Sequence, residues 1–566
     1  MVRLQARRTS RLLALGTAAV LVTGCGALSP AEAPAGSDTT APPADSASGT
    51  VPPTGAAAGA DSGPGTPADF ADEAAEIVAG YSDEELTGAV VMATYPGTDG
   101  TVAAQLAADL HLAGVIVMGD NLPEGAGPEE VREVTAAITD SEEESLPLLV
   151  GVDEEGGPVA RLDGAGPDVP PLMAHGAADD PALTEAVTEA QAHELRSLGF
   201  TLDFAPVADV TVGAADPAIN VRSAGSDPER VADIVSAAST GYSTGGILSS
   251  AKHFPGHGAL TTDSHEGLPV SEESIEEMAD RDRVPFEAAV EAGTPTVMMG
   301  HIGLPGAEEV PATLNPEAYE ALRDTLDYDG LVVTDALNMG AITPETPGDE
   351  TVDAIAAGAD LALMPPDTEA AVSALGAALE SGELPRDRLV EAAERVVAAR
   401  LWQEAAVGGD DAADASGDEA EGTDVDDATQ DLADASLTVL AGECTFADAG
   451  SEGEGTSEVT VASASEEVLA VFTDAAADAG LTITDDAEVS VALDATNTGA
   501  DVVIGTDAPW DLAEAAANAG DGDTVLALYD DYAAGLRAAA EYLAGDLEAS
   551  GELPVEFDGV EPPDCG

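Results

Sequence analysis

The segment Lys252-His253-Phe254-Pro255-Gly256-His257-Gly258, followed closely by Asp263-Ser264-His265, gathers an ammonium group, three imidazoles and a carboxylate in one short stretch of chain. Lys252 is the only lysine in a chain that otherwise takes its positive charge from arginine, which points to a need for a compact ammonium donor there rather than a planar fork. Pro255, Gly256 and Gly258 turn the chain sharply, and the loop beyond them can project an imidazole over a cleft. Asp263 and His265 stand two residues apart. On an extended loop that carboxylate can bond one ring nitrogen and fix its tautomer, leaving the other nitrogen to give and take a proton. Two plainer readings stay open at this point: His253, His257 and His265 with Asp263 around a metal ion, or histidines that merely satisfy loop hydrogen bonds. Neither accounts for Asp335, which ends the apolar run 331–334. A carboxylate at a strand end can attack an anomeric carbon, although aspartate is also a common helix N-cap.

These groups need elements to carry them. Short β-prone runs at 89–93, 113–118, 146–152, 200–204, 247–251, 296–299, 331–334 and 361–364 alternate with helix-length segments. Strands separated by helical crossovers pair in parallel, and eight such units predict an α/β fold of the (β/α)8 TIM-type barrel class. Asp153, Lys252 with His253, His301 and Asp335 all fall where one of these runs finishes, so the barrel would turn them toward a single rim. His301 is expected behind the site rather than in it.

At 566 residues the chain is too long for one core, and two domains with linkers are expected. Residues 1–25 have a basic start, a short apolar run and Leu-Val-Thr-Gly before Cys25. This is the pattern of a bacterial lipoprotein signal, with cleavage before Cys25 and lipidation of its thiol. Residues 26–65 read as a disordered tether, 66–405 as the catalytic barrel, 406–432 as an acidic linker and 433–566 as a smaller α/β sandwich domain. The remaining cysteines, Cys444 and Cys565, form a disulfide if the chain is exported. The balance of 109 acidic against 18 basic residues, a formal charge of -91, excludes nucleic acid as a partner and suits solubility in salt. Membrane association would run through the lipid alone.

Taken together, the Lys-His-Phe-Pro-Gly-His-Gly segment, its Asp-Ser-His partner and Thr-Asp-Ala-Leu-Asn-Met at 334–339 resemble glycoside hydrolase family 3, in its β-N-acetylglucosaminidase branch. The resemblance covers roughly residues 70–400 and, more weakly, 435–560. It implies a retaining exo-β-N-acetylhexosaminidase acting on peptidoglycan fragments or related amino-sugar glycans, without cofactor or metal. Asp335 matches the nucleophile, His265 the acid/base and Asp263 its orienting partner, while Asp153, Arg161, Arg222, Lys252 and His253 match substrate-binding positions. Pro158, Ala224 and the Gly300 and Ile302 neighbours of His301 depart from the family's usual residues. The stretch 551–555 is similar to the closing strand of the family's second domain. The alternatives are a β-glucosidase or an N-acetylglucosaminide phosphorylase of the same family, or a sugar-binding lipoprotein without turnover.

Overall fold

A computed structural model describes residues 65–139, 146–162, 164–342, 346–407, 424–446, 455–557 and 559–565. Cys25, the 1–25 leader and almost all of the 26–65 tether lie outside these residues. The first domain is built on strands β1 (Val91–Ala93), β2 (Gly114–Ile116), β3 (Leu149–Val152), β4 (Leu202–Asp203), β5 (Leu248–Phe254) and β6 (Thr296–Met299). A small hairpin follows, β7 (Gly303–Leu304) with β8 (Ala307–Pro311), and then β9 (Leu331–Thr334) and β10 (Ala362–Leu363). The order β10-β1-β2-β3-β4-β5-β6-β9 is parallel throughout, and a bridge between Val333 and Leu361 closes the ring. This is the eight-stranded barrel expected.

Most of its strands are apolar runs because both faces are buried, one by helices and one by the barrel interior, whereas β5 carries Ser249, Ser250, Lys252 and His253. Met92, Ile116, Leu149, Phe204, Met298 and Leu331 fill that interior. Two crossover helices show why they start where they do. In Pro181–Ser197 and Pro228–Thr244 an aspartate caps the first turn and proline stands at the first helical position, where its missing N–H costs nothing. Asp180 accepts from the Ala182 amide at 2.9 Å, and Asp227 from the Glu229 amide at 3.0 Å.

At the start of β10 the fully buried Asp360 ties the far end of the barrel together. Its two oxygens accept from Arg323 at 2.6 Å, Arg388 at 3.0 Å, Arg395 at 3.1 Å and the Val332 amide at 3.0 Å.

The second domain has one sheet of β11 (Thr438–Ala441), β12 (Glu458–Ser463), β13 (Thr482–Ile483), β14 (Val489–Leu493), β15 (Val502–Gly505) and β16 (Thr524–Ala527). Its order is β11-β16-β15-β14-β12-β13, with only the β11–β16 pair antiparallel. Helices Glu466–Asp478 and Ala533–Ala544 pack together with this sheet. A disulfide joins Cys444 to Cys565, with Cα atoms 5.4 Å apart.

Three boundaries differ from the sequence reading. Strand β5 runs on through Lys252 and His253, so both lie within the strand rather than just past it. Helix Val425–Ser436 begins inside the stretch read as linker, because Ala428 and Leu432 pack against Val187 and Ala190 of the barrel. The stretch 551–555 is no strand at all. Pro554 has no N–H for a ladder, and the backbone around it bonds to the barrel instead: the Glu552 amide donates to the Ala177 carbonyl at 2.8 Å, and the Pro554 carbonyl accepts from Ser226 at 3.1 Å.

Candidate active site

The C-terminal ends of β3, β5, β6 and β9 bring the chemistry-bearing residues to one rim, with the long loops after β4 and β5 as walls. Past β3 the chain stays extended through Asp153-Glu154-Glu155, so alternate side chains point the same way. Asp153 and Glu155 both face Lys252, whose Nζ lies 3.1 Å from Asp153 Oδ1 and 2.5 Å from Glu155 Oε1. Glu154 points the other way and accepts the Arg161 amide at 2.6 Å. Glu155 also takes Arg222 as a bidentate partner, Nε and Nη2 each 2.8 Å from a carboxylate oxygen. Arg161 is more loosely attached, 3.9 Å from Asp153.

This cluster is buried, and its protonation follows from the pairing. Burial would lift the Glu155 carboxyl, but Arg222 and Lys252 outweigh that and hold it far below the usual range. Burial would strip the Lys252 proton, but Glu155 and then Asp153 raise its pKa above that of an ordinary lysine. Glu155, Lys252 and Arg222 are therefore charged at neutral pH, and their pairing fixes where donors and acceptors face a ligand.

His253 donates from Nδ1 to Asp209 Oδ2 at 2.7 Å, which leaves Nε2 for the cleft. Asp209 Oδ1 also accepts the His253 amide at 3.3 Å and the His257 amide at 2.6 Å, so one buried carboxylate pins the whole turn after β5. His257 is buried among these groups with no partner on either ring nitrogen, and burial drives its pKa down to about 4. Asp282 packs where a Cβ on Gly256 would stand, 2.5 Å from the Asp282 Cβ. Burial, eased by Arg281, pushes the Asp282 carboxyl up to about 6.

Asp335 follows β9, is 8% exposed, and accepts the Ala336 amide at 2.7 Å. Burial works against its charge, yet His301, His253, the Ala336 amide and Lys252 together hold its pKa below the usual carboxylate value. It is an ionised carboxylate held in place at the strand end. His301 stands behind it: Nε2 donates to the Ala336 carbonyl at 2.9 Å and Nδ1 meets the Thr313 hydroxyl at 2.7 Å. Burial lowers the His301 pKa, and the same Thr313 hydroxyl donates to the Gly300 carbonyl at 2.9 Å.

The Asp263/His265 pair has the geometry that the spacing suggests. His265 Nδ1 lies 2.7 Å from Asp263 Oδ1, and the same oxygen accepts the His265 amide at 2.9 Å. The His265 side chain is 65% exposed. Burial raises the Asp263 carboxyl, but the His265 amide and ring outweigh it and bring it below the ordinary value. The dyad loop is latched to the segment that carries Asp335: the Ala341 amide donates to the Ser264 carbonyl at 3.2 Å, and Gly340 lies so close that a Cβ there would be 2.6 Å from the His265 carbonyl oxygen.

Every site residue picked from the sequence at this rim is therefore present there, Arg161 the most loosely held. Glu155 and Asp209 were not picked, and His257 was picked only as a possible metal ligand. The two-residue period from Asp153 could have found Glu155. Nothing in the spacing of Asp209 relates it to a histidine forty-four positions later. Among the described residues no group of three or more His, Cys, Asp or Glu side chains is arranged to hold a metal ion.

Comparison with known proteins places this arrangement. The glycosyl hydrolase family 3 N-terminal domain matches residues 85–399. β-Hexosaminidase A of Pseudoalteromonas piscicida is 31% identical over 324 residues, 52% of this chain and 54% of that protein, so the chain spans about half the length of this relative. β-Hexosaminidase LpqI of Mycobacterium tuberculosis is 37% identical over 271 residues, 44% of this chain and 67% of that one. Among solved structures, a family 3 β-N-acetylglucosaminidase from Paenibacillus sp. str. FPU-7 superposes with a TM-score of 0.72 at 28% identity, covering 84% of this chain and 99% of the other. That superposition takes in the second domain as well as the barrel.

Proposed function

The chain belongs to glycoside hydrolase family 3, and on that premise we propose that it is a retaining exo-β-N-acetylhexosaminidase that removes terminal N-acetylglucosamine. One observation carries the proposal: an ionised, buried Asp335 and an exposed His265/Asp263 dyad sit on two loops hydrogen-bonded to each other at the same barrel rim.

In this reading an Asp335 oxygen bonds to the anomeric carbon as the glycosidic C–O bond breaks. The departing oxygen takes the Nε2 proton of a protonated His265, while Asp263 keeps the Nδ1–H and the ring orientation. The now neutral Nε2 accepts a proton from water. The resulting hydroxide attacks the anomeric carbon, and Asp335 leaves as carboxylate, with net retention. A histidine here replaces the carboxylic acid that most glycosidases use for this step. Asp153, Arg161, Arg222, Lys252 and His253 hold the sugar in the subsite where the bond breaks.

The site of action follows from the leader. With Cys25 lipidated, the enzyme works outside the cytoplasmic membrane, where peptidoglycan fragments supply β-linked N-acetylglucosamine. The test is turnover of 4-nitrophenyl β-N-acetylglucosaminide by the mature chain and by Asp335→Asn, across pH and in low and high salt. A slow 2-deoxy-2-fluoro glycoside should label the Asp335 peptide. Absence of turnover by the intact chain under every condition would move the protein to the sugar-binding class, and a faster aryl β-glucoside would move it to the glucosidases.

A further inference from the structure

The loop 211–226 that carries Arg222 contains only two short 3-10 turns, Gly213–Ala215 and Asn220–Arg222, and is closed at its base by the Thr211 amide bonding the Gly225 carbonyl at 3.1 Å. Segment 551–557 of the second domain meets this loop on both sides of Arg222. On one side Val555 lies over Gly213, where a Cβ would be 3.0 Å from Val555 Cγ1 and 3.8 Å from the Trp510 ring. On the other, the Pro554 carbonyl accepts the Ser226 amide at 3.1 Å, and a Cβ on Gly225 would stand 2.6 Å from that oxygen. Between them Val221, the neighbour of Arg222, is buried in one apolar cluster with Val503, Leu512, Tyr529 and Val555.

The segment is itself held at several points. The Gly551 amide bonds the Leu437 carbonyl at 3.0 Å, and Glu552 pairs with Arg230 at 2.7 Å. Arg230 lies on the helix that follows the loop and also donates to the Gly176 carbonyl at 3.1 Å. The Cys444–Cys565 disulfide fastens the chain beyond it.

We propose that segment 551–557 is a positioning element for Arg222, so that the second domain sets sugar affinity in the barrel without contributing a catalytic residue. The inference rests on the reading of Arg222 as a sugar ligand. Glu155 orients the guanidinium, but the backbone beneath it is fixed by the second domain, and a loosened backbone gives up the bidentate geometry on which binding depends.

The full-length double variant Val555→Ala/Glu552→Ala removes the contact over Gly213 and the tie to Arg230. KM for 4-nitrophenyl β-N-acetylglucosaminide and the inhibition constant of free N-acetylglucosamine should rise together by roughly tenfold, with kcat within about twofold. Glu552→Gln, which keeps a hydrogen bond to Arg230, should stay near the intact chain. Sugar binding should also perturb Trp510 fluorescence in the inactive Asp335→Asn chain. An unchanged KM in a folded double variant overturns the proposal, as does a loss of kcat that merely tracks loss of folded protein. If the intact chain shows no turnover at all, the hydrolase reading fails instead.

Discussion

Glu155 is the most exacting place to perturb the site. Its two oxygens receive two bonds from Arg222 at 2.8 Å and one from Lys252 at 2.5 Å. In Glu155→Gln one oxygen remains an acceptor and the new NH2 must face a donor, so at least one of those three contacts turns repulsive. The two cations then share only Asp153, which is 3.1 Å from Lys252. Breaking a buried ion pair from one side costs about 3–5 kcal/mol. Expressed wholly in transition-state binding, at about 1.4 kcal/mol per tenfold, that is a loss in kcat/KM of roughly 10²- to 4 × 10³-fold. The pH dependence adds a sign. Glu155 is the larger of the two attractions that keep the Lys252 proton against burial, so removing it lets Lys252 deprotonate at lower pH. The alkaline limb of kcat/KM should move toward neutrality. The assay is kcat/KM on the nitrophenyl substrate as a function of pH, with circular dichroism to confirm folding. A folded Glu155→Gln enzyme within about threefold of the intact chain and with the same alkaline limb would refute the role given to this carboxylate.

Other outcomes follow from the same geometry. His265→Ala should lower kcat/KM by about 10²- to 10⁴-fold on a disaccharide but far less on the nitrophenyl substrate, whose leaving oxygen needs no proton; equal losses on both would count against His265 as the acid. Asp282 carries a pKa raised to about 6 against an ordinary 3.8, so its charge destabilises the folded chain as pH rises through that window. Asp282→Asn should therefore be more stable than the intact chain at neutral pH, on the order of 3 kcal/mol, and indistinguishable from it below about pH 4, as read from urea unfolding. Asp360→Ala strands three arginines at the far end of the barrel and should cost about 3–5 kcal/mol while leaving kcat of the folded fraction unchanged. The formal charge of -91 should make the unfolding temperature rise with added salt, since screening relieves surface repulsion that buried pairs do not share.

The barrel was legible because its strands fall on apolar, β-prone runs between helix-length segments. The dyad was legible for a local reason: Asp263 and His265 are two residues apart, and short-range geometry needs no fold. What escaped was long-range or lacked an apolar run. Asp209 meets His253 only because β4 and β5 are neighbours in the ring. Strand β13 is two residues, Thr482–Ile483, at a sheet edge, too short and too exposed to pattern. The strand reading of 551–555 rests on the family resemblance, against Gly551 and Pro554, and only the position of the barrel decides that its backbone bonds to Ala177 and Ser226.

Asp335 is 8% exposed, whereas the His265 side chain is 65% exposed. On the proposed mechanism, a glycosyl ester formed on Asp335 would be sheltered on the barrel side and open on the histidine side. The aglycone departs and the next acceptor arrives through the same doorway, under the same imidazole. Water holds that doorway by abundance alone. Any alcohol concentrated near it, including the hydroxyls of a second glycan end, competes for the same proton acceptor. On that mechanism the ratio of hydrolysis to sugar transfer would be a property of the medium around this face, and a crowded polysaccharide matrix would shift the proposed hydrolase partly toward remodelling.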